Sequence, residues 1–155
     1  MTDFDDLLHP DTILANLSIA SKKALFQALA ATVADHHGLD PRVVADRLAE
    51  REKLGSTGFG GGTAIPHARI DGLDRIVGAV ARLEQPIDFQ AIDDMPVDLV
   101  FMLLSPPDAG ADHLKMLARV SRALRDPGFV AKLRGAGSPD ALYALLTAAE
   151  ARDAA

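Results

Sequence analysis

The sequence predicts one α/β domain, a mixed β-sheet with helices on both faces, and three features lead to that class. Short apolar runs of strand length interleave along the chain with longer runs of period three to four, so strands alternate with helices. One run, Val97 to Leu104, is nearly all apolar, as a central strand buried on both faces must be. No repeat, low-complexity stretch or linker divides the 155 residues, a length that supports a single core.

Taken in order, Thr12 to Leu17 reads as a short first strand. Ser21 is positioned to cap a helix to about His37, whose apolar positions Leu25, Leu29 and Val33 recur every four residues, with Gly38 as its stop. Asp40-Pro41 starts a second helix carrying Val44 and Leu48 and ending near Glu52. Lys53 to Gly62 holds five glycines, too many for a stable helix or an interior strand, and reads as a loop. Ala64 to Arg69 reads as a short extended segment and Ile76 to Leu83 as a strand, followed by the apolar run. Ser105-Pro106-Pro107-Asp108 breaks that run. Ala111 to Arg125 follows as a helix with Leu114, Leu117, Val120 and Leu124 on one stripe. Asp126-Pro127 opens a short helix to about Leu133. Ser138-Pro139-Asp140 opens the last helix, to about Glu150, with residues 151–155 as a tail expected to fray.

Composition narrows the function. Twenty-two acidic against 16 basic residues leave a net charge of −6, with no basic stripe for a nucleic acid. Cysteine is absent, so disulfides, zinc-thiolate sites and a thiol nucleophile are all excluded. The acidic start Met1-Thr2-Asp3-Phe4-Asp5-Asp6 lacks the basic and apolar regions of a signal peptide. The longest apolar run is far too short for membrane insertion. A cytoplasmic location is the expectation.

The glycine stretch is the most informative segment, because its backbone N–H groups can form an anion-binding concavity. Gly62 is followed by Thr63 and Ala64 rather than Lys-Ser/Thr, so it is not a Walker loop. Gly58 to Thr63 lacks the final Gly of a dinucleotide fingerprint and lies between a helix and a strand in the wrong order. Thr63-Ala64-Ile65-Pro66-His67-Ala68-Arg69 comes next. Pro66 fixes its own φ and has no N–H, so the segment is not the middle of an interior paired strand, and His67 belongs on a rigid rim. A neutral imidazole there has a lone pair that can take a phosphoryl group, and loop N–H groups can stabilise its oxygens. On residue chemistry alone two readings of His67 stand, a phosphoryl acceptor or a histidine with no role.

The neighbouring candidates also have two readings each. His113, in the first turn of a helix, can donate to a phosphate held at that positive end, or simply bond solvent or Asp112. Arg51 ends a solvated helix face or reaches an anion in the loop. Ser56 and Thr57 brace the loop or donate to phosphate. A His67/His113/Asp112 metal site matches no metal spacing, so neither a metal nor a cofactor is expected. His36 and His37 read as helix C-terminal residues favoured by the dipole, and His9 receives no role.

The run Arg51 to His67, Arg-Glu-Lys-Leu-Gly-Ser-Thr-Gly-Phe-Gly-Gly-Gly-Thr-Ala-Ile-Pro-His, closely resembles the signature of fructose/mannitol-type IIA proteins of the sugar phosphotransferase system, above all their nitrogen-regulatory branch. The resemblance extends through Ala91 to Leu99 and the Asp112-His113-Leu114 helix start. It departs where Ala68 and Arg69 stand in place of the common Gly and Lys, and where Gly61 replaces a frequent Asn. It implies a single α/β domain with His67 as phosphoryl acceptor, His113 as its support and Arg51 as charge partner. Gly55, Ser56, Thr57, Gly58, Gly60 and Gly62 would form the phosphate loop. The implied donor is a phosphohistidine on an HPr-like carrier, and regulatory protein targets, potassium-uptake or sensor-kinase proteins among them, are the implied partners. Transport is the alternative, with phosphate passed to a separate IIB; a fused, cysteine-using IIB is excluded. A binding module with a silent His67 is a further alternative, and a metal-dependent hydrolase a weak one.

Overall fold

A computed structural model describes residues 4–154. Residues 1–3 and 155, which include half of the acidic start and the last residue of the tail, lie outside that range. Strands β1 (Ile13–Leu17), β2 (Gly58–Gly60), β3 (Thr63–Ala64), β4 (His67–Arg69), β5 (Val77–Ile87) and β6 (Val97–Ser105) form one mixed sheet. Its order is β1-β5-β6-β3-β2, with β4 also paired to β6. The helices are α1 (Phe4–Leu7), α2 (Lys22–His37), α3 (Pro41–Lys53), α4 (Ala111–Leu124), α5 (Pro127–Gly135) and α6 (Pro139–Ala154). This is the α/β class read from the sequence.

Strand β6 organises the core because its side chains alternate between the two faces. Val100, Met102 and Leu104 pack under α2 and α3 with Leu25, Leu29, Val44 and Leu48. Leu99, Phe101 and Leu103 pack on the other side with Phe4, Met116, Val120, Leu133, Leu142 and Leu146 from α1, α4, α5 and α6. Helix starts follow local chemistry. Ser21 Oγ accepts from Ala24 N, and Asp40 and Asp126 cap helices whose first residue is proline. Gly38 ends α2 in the left-handed region at φ 70°, where Ala34 O accepts from both Gly38 N and Leu39 N. No helix among the described residues is long and apolar enough to cross a membrane.

Several expectations need correction. The glycine stretch is not all loop, because Gly58–Gly60 forms a short strand at the sheet edge, where the missing side chains cost least. The segment 63–69 is paired on both sides of Pro66. Thr63 lies opposite Leu99 and His67 opposite Leu103, the same offset, so the register runs straight through the proline. Pro66 O still accepts from Leu103 N at 2.9 Å; the missing proline N–H is what splits the ladder into β3 and β4. Strand β5 extends past Leu83 to Ile87, and α6 continues past Glu150 to Ala154. The acidic start and the segment after it contribute α1 and a 3-10 turn, Pro10–Thr12, capped by His9, to which no role had been given.

The stripe expected on α4 is also rotated. The buried residues are His113, Met116, Val120 and Leu124, while Leu114 is 65% exposed. Two overlapping apolar stripes fit the helical period, and contact with the sheet selects the one that contains a histidine.

Candidate functional site

Strands β4 and β6 run parallel, so their carboxyl ends emerge at the same edge of the sheet, a recurrent location for sites in α/β folds. Arg69 and Ser105 are paired there. The C-terminal end of α3 and the N-terminal end of α4 flank the edge, and between them lies an open concavity of about 620 Å³. Its lining brings together Arg51, His67, Arg69, His113 and Leu114, with Arg47, Glu50 and Asp71 at its polar margin.

His67 is half-buried, and its Nδ1 lies 2.8 Å from Ile65 O. A carbonyl oxygen can only accept, so Nδ1 carries the proton and Nε2 keeps its lone pair. The fixed dihedral of Pro66 between the two residues holds this geometry. Burial lowers the pKa of His67; the Ile65 hydrogen bond and Glu52 oppose that, and Arg51 adds to it. The net shift is downward, which favours the neutral ring with its free lone pair.

The His113 ring is 5.5 Å from that of His67, centroid to centroid. It is only 6% exposed, and its Nδ1 lies 2.5 Å from the fully buried Ser105 Oγ. Burial, then the neighbouring His67 and Arg69, push its pKa down to about 4. The unfolded chain takes up this proton near 6.5, the folded protein only near 4, so acidification through that window favours unfolding. The stability that His113 supplies is therefore complete above 6.5 and is lost toward pH 4. Between those pH values we expect wild type to lose about 3 kcal/mol more unfolding free energy than His113→Gln. Parallel urea-denaturation curves for the two proteins across that range would contradict the assignment.

Arg51 Nη1 donates to Gly55 O at 2.9 Å, and Arg69 Nη1 donates to Pro107 O at 3.0 Å. Each guanidinium is thus held in place while lining the same concavity. Helix α4 starts at Gly110 without a side-chain cap. Its positive end therefore stands beside His113.

The glycines take a different position from the one expected. Gly55 N donates to Glu52 O, Gly58 N to Ser56 Oγ and Gly61 N to Asp93 Oδ2. None of Gly55, Ser56, Thr57, Gly58, Gly60 or Gly62 lines the His67 concavity. Gly60 to Gly62 turn the β2–β3 hairpin at a separate place, against Arg134 and Asp98. There Gly62, at φ 79°, leaves no room for a Cβ beside the Arg134 guanidinium. Ser56 and Thr57 brace the loop. Thr57 N and Oγ1 both donate to the Glu52 carboxylate, the hydroxyl at 2.6 Å.

Glu52, expected only as the end of the second helix, has an almost wholly covered side chain, and it also pairs with Lys22 Nζ at 2.9 Å. Sequence reasoning missed this anchor, together with the pocket position of Arg69 and the contact of Ser105 with His113. A serine closing the apolar run from Leu99 to Leu104 was the available signal for Ser105. Nothing local announced the others.

The fold agrees with the comparisons. The family model described as "Phosphoenolpyruvate-dependent sugar phosphotransferase system, EIIA 2" matches residues 6–149, and the chain belongs to that family. Within it the similarity is to nitrogen regulatory proteins. That of Bradyrhizobium diazoefficiens is 50% identical over 141 residues, spanning 91% of this chain and 92% of its own. That of Pseudomonas aeruginosa is 39% identical over 147 residues, spanning 94% and 96%. The crystal structure of nitrogen regulatory protein IIA-Ntr from Neisseria meningitidis superposes with a TM-score of 0.87 at 34% identity, covering 92% of this chain and 97% of that one. The resemblance drawn from the run Arg51 to His67 is therefore correct for both family and branch.

Proposed function

We propose that this chain carries a phosphoryl group on His67 Nε2, taken from a phosphohistidine of an HPr-like carrier, and that its phosphorylation state governs binding to regulatory proteins. The observation that carries the reading is the hydrogen bond from His67 Nδ1 to Ile65 O, which leaves Nε2 as the nucleophile on the pocket side of a rigid strand. In the transfer the donor N–P bond breaks and its electron pair returns to the donor nitrogen. A new N–P bond forms at Nε2, while the proton stays on Nδ1, hydrogen-bonded to the Ile65 carbonyl. Arg51 and Arg69 offset the charge on the phosphoryl oxygens. His113 is neutral, and with the Ser105 hydroxyl donating to its Nδ1 it has an Nε2–H to give to one of those oxygens. Ser105 is a positioning residue in this scheme. The glycines shape the loop that holds Arg51 in place, and the guanidinium groups and His113 take over the cradling expected of them.

The test is the position of the label. After incubation with phosphorylated carrier, phosphorus NMR is expected to report phosphohistidine substituted at Nε2. Substitution at Nδ1 would sink the reading, because Nδ1 has no lone pair in this geometry.

Regulation follows from charge. A phosphoryl group adds close to two negative charges. It would enter a concavity lined by arginines and rimmed by Leu54 and Leu114, exposed to 84% and 65%. The rim offers apolar contact, and its centre changes sign on phosphorylation. Pull-down profiles of the two forms should therefore differ, in the manner of potassium-uptake or sensor-kinase targets that bind one form. Identical profiles would count against regulation by phosphorylation state.

A further inference from the structure

The three side chains His9, Asp11 and His36 come together away from the His67 concavity, which none of them lines. We propose that they form a binding site for a divalent first-row transition-metal ion, with Zn(II) as the probe. The three ligand atoms lie within 4.8 Å of one another. Asp11 Oδ2 is 3.5 Å from His9 Nδ1 and 3.8 Å from His36 Nδ1. A tetrahedral zinc with bonds of about 2.0–2.1 Å sets its ligand atoms about 3.4 Å apart, so small side-chain rotations close the site.

The arrangement is built from two rigid pieces. His9 and Asp11 stand on the 3-10 turn, which is locked by Thr12 N donating to His9 O at 2.8 Å and by the Thr12 hydroxyl donating to the same carbonyl at 3.0 Å. His36 stands on the last turn of α2, where the helix dipole favours a cation. The rings of His9 and His36 are 4.3 Å apart.

Two imidazoles and one carboxylate suit Zn(II), Co(II), Ni(II) or Cu(II) rather than Mg(II) or Ca(II), which prefer all-oxygen shells. The Nδ1 of His9 now accepts from Asp11 N at 3.0 Å, so it is unprotonated, and it lies 3.5 Å from Asp11 Oδ2. Binding exchanges that exposed hydrogen bond for a coordinate bond. The side chains are 49%, 74% and 25% exposed, which admits the ion and leaves the fourth position to water. A bound ion would fasten the turn leading into β1 to the end of α2.

The experiment is zinc titration calorimetry on the full chain, with Co(II) absorption as a report of tetrahedral geometry. Wild type and a His67→Gln/His113→Gln double variant should each bind one Zn(II) alike. Asp11→Asn and His36→Gln should each weaken binding at least about tenfold. The melting temperature should rise with zinc in wild type and not in these variants, whose metal-free melting temperatures stay close to wild type. Three results would overturn the proposal: no zinc binding, binding that vanishes in the double variant, or binding undiminished in both Asp11→Asn and His36→Gln. The phosphoryl-transfer reading is untouched by any of them.

Discussion

Wild-type protein mixed with a phosphorylated HPr-like carrier is expected to become labelled at about one phosphoryl group per chain, and His67→Ala not at all. The label should be stable in base and lost in acid, as an N–P bond requires. The loss is total because no second nucleophile can take over. His113 is the nearest imidazole, but it is buried, and its Nδ1 is occupied by Ser105 Oγ at 2.5 Å. In the tautomer that donates to a phosphoryl oxygen, its other nitrogen has no lone pair. Equal acid-labile label on wild type and variant would end the assignment of His67.

A large loss of stability is expected at a residue that no chemistry in the sequence singled out. Replacing Glu52 with Ala removes the acceptor of Thr57 N at 3.1 Å and of Thr57 Oγ1 at 2.6 Å, and the partner of Lys22 Nζ at 2.9 Å. Thr57 is only 7% exposed, so water cannot fully replace the lost acceptor. Lys22 is left as a partly covered cation, eased by the Phe89 ring 4.5 Å away. Removing one partner of a covered, hydrogen-bonded ion pair costs about 3 kcal/mol or more. Glu52→Gln, which keeps an acceptor but no charge, should cost less than half of that. Urea denaturation of the three proteins checks the order, and a Glu52→Ala variant within about 0.5 kcal/mol of wild type would refute it. The loop from Leu54 to Thr57 follows the helix end that carries Arg51. Its loosening should therefore slow phosphoryl transfer as well.

Most of the elements were legible because their causes are local. Ser21, Asp40, Pro41 and Gly38 mark helix ends through hydrogen bonds and dihedrals that reach no further than five residues. Val97 to Leu104 could be recognised as a doubly buried strand from its apolar content alone. The geometry proposed for His67 was legible for the same reason: its ring, its proline and the carbonyl that fixes its tautomer lie within three consecutive residues, Ile65, Pro66 and His67. Short β2 and α1 were not legible, since a three-residue strand and a four-residue helix exist only through what they pack against.

The sequence by itself determined the α/β class, the order of the main elements and the family, and it singled out the histidine proposed as acceptor. Only the tertiary structure decided which face of α4 is buried. It also covered Glu52 with Lys22 and Thr57, set Ser105 against His113, and turned Gly60 to Gly62 away from the pocket toward Arg134. It alone brought His9 and Asp11 to His36. Propensity, capping and period act over a few residues, whereas these contacts join positions from separate elements, and their geometry is fixed only when the sheet brings those elements together.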